Sequence, residues 1–339
     1  MTKLAVFGAG RIGRVHALNA AAIEDVSVAR IVDPIASPER DALARCLGAE
    51  VCEPRDVFAD PSIDGVVIAS STDTHAELLI AAAGVGKAIF CEKPVSLDFP
   101  TVVSVAGAVT QSGVPCMLGF QRRYDPNFRA VRDRIASGAA GRLEHIVMHT
   151  RDPAPPPVSY VVRSGGMFRD QAIHDFDIAR YLLAEEIRTV YAVGNCLIDP
   201  AIGEAGDIDT AMITLTSVSG RFVQMVNCRR APFGYDQRLE ALCEREVIYV
   251  ANRPQSDLVV ASASGFTTAP PMNYFIERFA DAYRLEMEGF IDLLRHGTEP
   301  LAGMREGVEA QRLAEAALAS MRSGAPVHLD DGRWVPDAV

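Results

Sequence analysis

The segment from Gly165 to Asp177 carries acidic and basic side chains at helical spacing. It is typical of a glycine loop that leads into a helix, with Asp170, His174 and Asp177 at positions i, i+4 and i+7. On an α-helix these three side chains lie on one face, whereas Asp175 points elsewhere. Histidine, with an unperturbed pKa of about 6.5, suits a general base near neutral pH. We expect His174 to accept a proton and Asp170 to orient it or to bind a substrate hydroxyl.

Two other interpretations of this helix remain open. Asp170 and His174 could form an ordinary surface pair, and the helix taken alone favours that interpretation. Three of its groups could instead bind a metal, but a zinc site needs three protein ligands in a tetrahedral array, and no further ligand is evident nearby. The sequence therefore predicts no metal.

A lysine that could stabilise negative charge occurs in Glu92-Lys93-Pro94, directly after the apolar strand predicted at 88–91. Ligands of open α/β sheets bind beyond the carboxyl ends of the strands, so this lysine should lie in the binding crevice. Pro94 would stiffen the turn, and an ammonium there can stabilise a developing alkoxide. A loop lysine is more often simply solvated, so the assignment depends on a neighbouring cofactor site.

That cofactor site is predicted by glycines after the first strand. Gly8, Gly10 and Gly13 form a G-x-G-x-x-G pattern, with Arg11 and Ile12 between them. In a dinucleotide site the first glycine makes the tight turn, the second admits the pyrophosphate, and the third lets helix and strand pack closely. The helix N-terminus supplies N–H groups for the phosphates. The alternative is that these glycines merely make a turn.

Asp33 lies 33 − 13 = 20 positions after the last glycine, at the end of the second predicted strand. A carboxylate there binds the adenosine ribose hydroxyls and repels a 2′-phosphate, which favours NAD over NADP. Its alternative role is to cap the turn at Pro34. After the strand at 65–69, Ser70, Ser71 and His75 should flank the nicotinamide ribose, although His75 could equally be a helix residue without a ligand.

The elements that position these residues change in kind along the chain. Up to about residue 120, short apolar runs alternate with helical patterns, which predicts a parallel sheet with helices on both faces. Later segments alternate apolar and polar residues, which predicts a mainly antiparallel open sheet. The strands of this second sheet are predicted at 143–151, 189–197, 209–218, 221–229 and 238–250.

The fold class is therefore α/β, with a Rossmann domain at 1–120 and an α+β domain at 121–339. We assign NAD binding to the first domain and substrate binding and oligomerisation to the second. Ser219-Gly220 should form a tight hairpin, and the proline run at 153–157 a stiff connector. The tail from 274 to 322 should be helical with a break near 297–303, and its helices should pack back on the first domain.

Composition excludes several classes of protein. The 339-residue chain has a formal net charge of −11, which argues against binding nucleic acid or anionic membranes. Its seven cysteines include no CxxC pair, so a disulfide framework is not expected and a reducing compartment fits. No signal peptide or spanning segment is evident. We expect a cytoplasmic protein.

Together these motifs resemble the glucose–fructose oxidoreductase/inositol dehydrogenase/rhizopine catabolism (Gfo/Idh/MocA) family. The resemblance covers nearly the whole chain. It is carried by GAGRIGRVHA (8–17), CEKP (91–94), GFQRRYDPNF (119–128), GGMFRDQAIHDFD (165–177), and three segments similar to bacterial inositol 2-dehydrogenases, at 150–157, 228–240 and 274–290. It implies a Rossmann domain, an open-sheet domain and a homotetramer formed through those sheets. The implied activity is NAD-dependent oxidation of a ring hydroxyl of myo-inositol.

The resemblance also implies roles for single residues. Lys93, Asp170 and His174 match the catalytic residues, and Asp177 matches a substrate contact. Asp152 and Tyr235 fall in segments that line the polyol site, and Tyr283 is either a looser candidate or a helix-packing residue. The implied cofactor contacts are Gly8, Gly10, Arg11, Ile12, Gly13, Asp33, Ser70, Ser71, His75, Glu92, Lys93 and Gln121.

Two departures and several alternatives accompany this prediction. Thr150 stands where some inositol dehydrogenases have histidine, which puts the substrate in doubt, and 243–246 lacks the usual Gly/Ser turn. The substrate could instead be scyllo-inositol, another sugar or an anhydrosugar, because discrimination depends on a few hydrogen bonds. A non-catalytic dinucleotide-binding sensor or co-repressor also remains open. The catalytic prediction requires Lys93 and His174 to converge on one cleft that holds the nucleotide.

Overall fold

The structure is a computed structural model that describes residues 1–329 and Trp334. The chain divides into two compact units. The N-terminal unit comprises residues 1–125 and 281–309, and the C-terminal unit comprises residues 126–280 and those from 310 onward. The division thus falls at 125/126, beside the predicted boundary. The last residues of the predicted second domain, 330–333 and 335–339, lie outside the described part of the chain.

The N-terminal unit contains a six-stranded parallel sheet of order β3-β2-β1-β4-β5-β6, as expected for a Rossmann-type fold. Its strands are β1 (Thr2–Phe7), β2 (Val26–Val32), β3 (Glu50–Val51), β4 (Gly65–Ile68), β5 (Ala88–Glu92) and β6 (Cys116–Gly119). Its first helices are α1 (Arg11–Ala21), α2 (Pro38–Leu47), α3 (Pro54–Ala59), α4 (Thr72–Gly84) and α5 (Phe99–Ser112). A 3₁₀ turn (Gln121–Tyr124) follows β6.

Local sequence explains where these elements begin and end. Ser37 caps the N-terminus of α2 by accepting the Arg40 N–H, and Gly48 ends the helix at a φ of +64°. Both are preferred at those positions, the first for its side-chain oxygen and the second because it lacks a Cβ. The four residues of β4 are all buried, as a strand covered on both faces requires.

The C-terminal unit contains a seven-stranded sheet of order β12-β11-β7-β10-β9-β8-β15. Its strands are β7 (Leu143–Arg151), β8 (Ile187–Asn195), β9 (Thr210–Ser217), β10 (Phe222–Cys228), β11 (Asp236–Cys243), β12 (Val247–Val250) and β15 (Val327–His328), and a separate hairpin pairs β13 (Val259–Ser262) with β14 (Gly265–Thr268). Its helices include α6 (Pro126–Ala136), α7 (Val158–Ser164), α8 (Ile173–Leu183), α9 (Pro200–Glu204) and α10 (Phe275–Arg278). Among the strands of this sheet that the structure describes, only β7 and β10 pair in parallel, so the prediction of a mainly antiparallel sheet is confirmed.

One strand prediction for this unit is wrong, and two short elements were not predicted. The strand predicted at 238–250 is two strands, because the chain reverses between Cys243 and Glu246 with a backbone hydrogen bond of 2.8 Å. The proline run at 153–157 leads into the short helix α7, which was not predicted. The β13–β14 hairpin was also missed, since its exposed residues lack the alternation that marks a half-buried strand.

The tail is helical, as predicted. After α10 come α11 (Ala280–His296) and α12 (Met304–Ser323), with the predicted break between them. Within the N-terminal unit, Phe290 of α11 is fully buried and packs edge-on against Phe90 at 5.8 Å between ring centroids. None of the helices described here is long and apolar enough to cross a membrane.

Candidate active site

The glycine loop between β1 and α1 leaves space where a dinucleotide phosphate would lie. Gly8 has a φ of +95°, and a Cβ added there would lie 2.5 Å from the Ala69 carbonyl oxygen. A Cβ on Gly13 would lie 1.9 Å from the Gly8 carbonyl oxygen. A Cβ on Gly10, by contrast, would meet no protein atom within 4 Å. Gly8 and Gly13 are therefore required by the fold itself, whereas Gly10 faces open space that a ligand could fill.

The N-terminus of α1 adds electrostatic attraction to that space. Gly10 is its N-cap residue in an extended conformation, and no side chain caps the helix. The first turn, which begins with exposed Arg11 and half-buried Ile12, contains no acidic residue. The N–H groups at the start of a helix and the positive end of its dipole favour a bound phosphate. The residues present thus fit the pyrophosphate of a dinucleotide.

Asp33 follows β2 and accepts two backbone hydrogen bonds. Its Oδ2 accepts from the Ala9 N–H at 2.7 Å, and its Oδ1 accepts from the Ile35 N–H at 2.9 Å. The carboxylate therefore does cap the turn at Pro34, the alternative considered from the sequence. An ionised carboxylate has about four acceptor sites, so capping leaves room for ribose hydroxyls as well. The bond to Ala9 also holds the carboxylate beside the glycine loop.

His75 is buried between two loops of the N-terminal unit. Its ring is only 1% exposed, and its Nδ1 and Nε2 lie 2.8 Å and 3.1 Å from the carbonyl oxygens of Pro94 and Ser70. Burial lowers the pKa of His75, against the opposing effect of these carbonyls. A neutral imidazole has one N–H, so His75 donates to one of these two carbonyls. It thereby ties the loop after β4 or the turn that follows Lys93 to α4, and its contact with a cofactor stays a prediction.

The other residues of that loop lie at the start of α4. Ser71 is the N-cap residue of the helix, and the hydroxyl oxygens of Ser70 and Thr74 are 2.6 Å apart. Ser70 is half-buried and Ser71 is exposed, and both follow the carboxyl end of β4. They occupy the edge of the sheet at which ligands of this fold class bind.

Lys93 and Glu92 lie at the carboxyl end of β5. Lys93 is half-buried, and its peptide bond to Pro94 is cis. Glu92 Oε1 lies 2.7 Å from Nε2 of His16, a fully buried residue of α1. The ring of Tyr283 packs edge-on to His16 at 5.6 Å, which favours the helix-packing interpretation of this tyrosine. Gln121, in the 3₁₀ turn after β6, is buried.

In the C-terminal unit, Asp170 lies in a π-helical turn (Phe168–Ala172) that precedes α8. The expectation that one regular α-helix carries Asp170, His174 and Asp177 is therefore wrong for Asp170. The spacing of residue types does not reveal an i→i+5 turn, and such turns are frequent at functional sites. His174 is half-buried in the first turn of α8, and Asp177 is buried one turn later.

Two residues that the sequence did not single out contact Asp170. The Tyr160 hydroxyl donates to Oδ1 at 2.8 Å, and Arg229 Nη1 lies 3.3 Å from Oδ2. Partial burial of the phenol, and then the negative charge of Asp170, raise the pKa of Tyr160 above its usual value, so the hydroxyl stays protonated. Burial alone would lower the pKa of Arg229, but the carboxylates of Asp170 and Asp207 outweigh it and raise that pKa.

Arg229 is only 1% exposed and lies among three carboxylates. Its Nη2 is 3.4 Å from Asp207 Oδ2, and Asp152 also contributes to its electrostatic surroundings. Asp152 in turn accepts a hydrogen bond from Gln171 at 2.6 Å. Asp152 and Asp170, both predicted from the sequence, are therefore brought together around an arginine that was not predicted. In the sequence, Arg229 is marked only by the pair of arginines that follows β10.

The opposite side of α8 is fixed to the sheet by Asp175. Its two carboxylate oxygens accept hydrogen bonds from Thr150 at 2.8 Å and Asn227 at 2.6 Å. Asp175 therefore fixes α8 to β7 and β10, and Thr150 serves to anchor the helix. Tyr235 is buried, and its ring packs edge-on to Phe279 at 6.2 Å.

Both units match models of known protein families. Residues 2–120 match a model described as an oxidoreductase family with an NAD-binding Rossmann fold, and residues 128–249 match one described as a GFO/IDH/MocA C-terminal domain. An inositol 2-dehydrogenase of Rhizobium meliloti is 40% identical over 319 residues, which cover 94% of this chain and 96% of that protein.

Two solved structures are also similar over nearly the whole chain. A myo-inositol dehydrogenase from Corynebacterium glutamicum has a TM-score of 0.93 at 38% identity, covering 97% of this chain and 99% of that one. A scyllo-inositol dehydrogenase from Lactobacillus casei, with bound NAD(H) and scyllo-inositol, has a TM-score of 0.90 at 26% identity and the same coverage. Both similarities extend across the residue ranges that carry the candidate site.

Proposed function

Because the chain belongs to the GFO/IDH/MocA family of NAD-binding oxidoreductases, we propose that it oxidises one ring hydroxyl of a cyclic polyol to a ketone. The preferred substrate in this proposal is myo-inositol, and the product is the 2-keto derivative. Bound NAD⁺ supplies the hydride acceptor. The chain is thus a dehydrogenase acting on a CH–OH group, and its own residues must bind the ring, orient it and move the hydroxyl proton.

In this proposal His174 accepts the proton of the reacting hydroxyl, and Lys93 stabilises the oxygen as negative charge develops on it. Asp170 binds a hydroxyl and helps to orient the ring. The remaining substrate contacts are Asp152, Asp177 and Tyr235. General-base catalysis of this kind contributes about 10²–10⁴-fold to the rate.

The single observation that carries the proposal is the cluster of carboxylates around Arg229. Asp152, Asp170 and Asp207 surround one guanidinium, so the cluster has an excess of negative charge. Such surroundings disfavour carboxylated or phosphorylated substrates through like-charge repulsion. Carboxylates are also good acceptors for hydroxyl groups. A neutral, hydroxyl-rich ring fits both requirements.

A second candidate substrate is scyllo-inositol. It is the polyol bound by the Lactobacillus casei relative, whose fold matches this chain over nearly its full length. The two inositols differ only in the orientation of one hydroxyl, so a few hydrogen bonds decide between them. We further propose a preference for NAD over NADP, based on Asp33, together with a homotetrameric assembly through the open sheets and a cytoplasmic location.

The test is NADH formation, followed by absorbance, with the purified full chain and a panel of polyols. The panel contains myo-inositol, scyllo-inositol, glucose and an anhydrosugar, each with NAD⁺ and NADP⁺ in parallel. We expect the highest kcat/KM with an inositol and NAD⁺. If no compound is turned over although NAD⁺ binds measurably, the proposed dehydrogenase activity is contradicted and a sensor or co-repressor is favoured. Highest kcat/KM with a sugar would overturn the substrate alone.

A further inference from the structure

The Asp170 carboxylate has a separate partner on each of its oxygens. Tyr160 lies on α7, and its hydroxyl is 2.8 Å from Oδ1. Arg229 directly follows β10, and its Nη1 is 3.3 Å from Oδ2. Because the two partners come from different elements, they fix the rotation of the carboxylate as well as its position. We propose that Tyr160 and Arg229 form a clamp that positions Asp170 to accept a hydrogen bond from a substrate hydroxyl.

The chemistry of the clamp decides what Asp170 can recognise. Arginine has only donors, and the raised pKa of Tyr160 keeps its hydroxyl protonated, so both partners donate to Asp170. The carboxylate therefore stays an acceptor, so a substrate group that binds to it must be a donor. A ring hydroxyl supplies that hydrogen, whereas an ether or carbonyl oxygen at the same position does not. The clamp thus selects for a free hydroxyl where Asp170 contacts the substrate.

Asp207 extends the clamp to the loop at Gly165 and Gly166. Its Oδ2 contacts Arg229 Nη2 at 3.4 Å, and its Oδ1 accepts the Met167 N–H at 3.0 Å. A Cβ on Gly166 would lie 2.9 Å from this same Oδ1, so the loop approaches the carboxylate as closely as a glycine allows. Met167 directly precedes the π-helical turn that carries Asp170. Asp207 is therefore a positioning residue, which acts on Asp170 through Arg229 and through the start of that turn.

Tyr160 provides the cleanest test because it can lose its hydroxyl without losing its ring. It is 43% exposed, so Tyr160→Phe should fold and should lower the melting temperature only slightly. A hydrogen bond to a charged group is worth about 1.5 kcal/mol, so we expect kcat/KM for inositol to fall about tenfold. The matched control is Tyr249→Phe, at a 68% exposed tyrosine of β12, for which no loss is expected.

A double-mutant cycle shows whether Tyr160 acts through Asp170. In an Asp170→Asn background, adding Tyr160→Phe should cause little further loss, because the group being positioned has already been altered. An undiminished tenfold loss in that background would overturn the clamp. In the wild-type background, mono-O-methyl inositols should reveal one ring position at which methylation costs much less activity in Tyr160→Phe than in the wild type. Equal discrimination at every position would also contradict the proposal.

Arg229 gives a second, independent measurement. Arg229→Lys keeps the positive charge but removes the paired nitrogens that reach Asp170 and Asp207, so inositol binding by calorimetry should weaken at least about tenfold. The neighbouring exposed Arg230→Lys is the control, and should bind as the wild type does. If Arg229→Lys fails to fold, Tyr160→Phe still decides the outcome. The clamp rests on the proposed function, but the two proposals fail in different ways. An inactive wild-type protein refutes the proposed function. An active wild type together with an unimpaired Tyr160→Phe variant refutes only the clamp.

Discussion

Replacing Gly10 by alanine should weaken NAD⁺ binding while leaving the free protein almost unchanged. The added Cβ would meet no protein atom within 4 Å, and the backbone at Gly10 (φ −67°, ψ −172°) is extended, which alanine adopts without strain. Alanine is a poorer N-cap than glycine, so the expected cost is at most about 1 kcal/mol. The Cβ would instead fill the space assigned to the pyrophosphate.

The matched variant is Gly13→Ala, which should behave in the opposite way. Its Cβ would lie 1.9 Å from the Gly8 carbonyl oxygen, far inside van der Waals contact, so the loop must move before any ligand arrives. Overpacking of this kind costs about 1–3 kcal/mol or more. Without cofactor, Gly13→Ala should therefore lower the melting temperature more than Gly10→Ala does.

Calorimetric titration with NAD⁺ measures the consequence for the cofactor. If the strain of about 1–3 kcal/mol appears only in the complex, the Kd of Gly10→Ala rises about 5–150-fold. Differential scanning calorimetry of both free variants provides the stability comparison. Wild-type NAD⁺ affinity in Gly10→Ala would refute the placement of the dinucleotide over this glycine.

Three further predictions concern the cofactor, pH and the core. Asp33→Ala should raise the ratio of NADP⁺ to NAD⁺ kcat/KM at least about tenfold, since the carboxylate that repels the 2′-phosphate is gone; an unchanged ratio in steady-state assays would contradict this. Although burial opposes it, backbone N–H donors at 197–199 lower the pKa of buried Asp209 to about 2. This depressed pKa stabilises the fold by about 2 kcal/mol above about pH 4, and the gain is lost as the pH falls through about 2. The difference in melting temperature between the wild type and Asp209→Asn should therefore shrink as the pH falls from about 4 to about 2. A constant difference would refute this linkage. Phe290→Ala should cost about 3–5 kcal/mol in thermal unfolding, whereas Phe266→Ala, at a residue 82% exposed, should cost little; equal effects would argue against the described core.

The parts of the fold that were predicted from the sequence depend on local rules. Gly8 and Gly13 are required by backbone contacts within one strand–loop–helix unit, so their spacing alone identifies the loop. Periodicity likewise predicted the two sheets and the helical tail. Short elements were missed because a four-residue strand such as β13 or a seven-residue helix such as α7 contains too few repeats to show a period.

The side chains around Asp170 could not be predicted because they come from distant positions. Tyr160 and Arg229 are 10 and 59 residues from Asp170 in sequence, and nothing in either local pattern points to that carboxylate. His75 shows a different limit. Its place after a buried strand suggested a ligand contact, but the sequence did not reveal that its ring lies between the backbone carbonyls of Ser70 and Pro94. Sequence position indicates which edge of the sheet a residue occupies, not the direction of its side chain.

The most direct test of the proposed chemistry is a double-mutant cycle on Lys93 and His174 with myo-inositol and NAD⁺. If both act on the same hydroxyl, each of Lys93→Met and His174→Ala should lower kcat by about 10²-fold or more. The double variant should then lose little beyond the worse single variant, because residues that act as one unit are not additive. Full additivity of the two losses, or wild-type turnover in either single variant, would contradict the assignment.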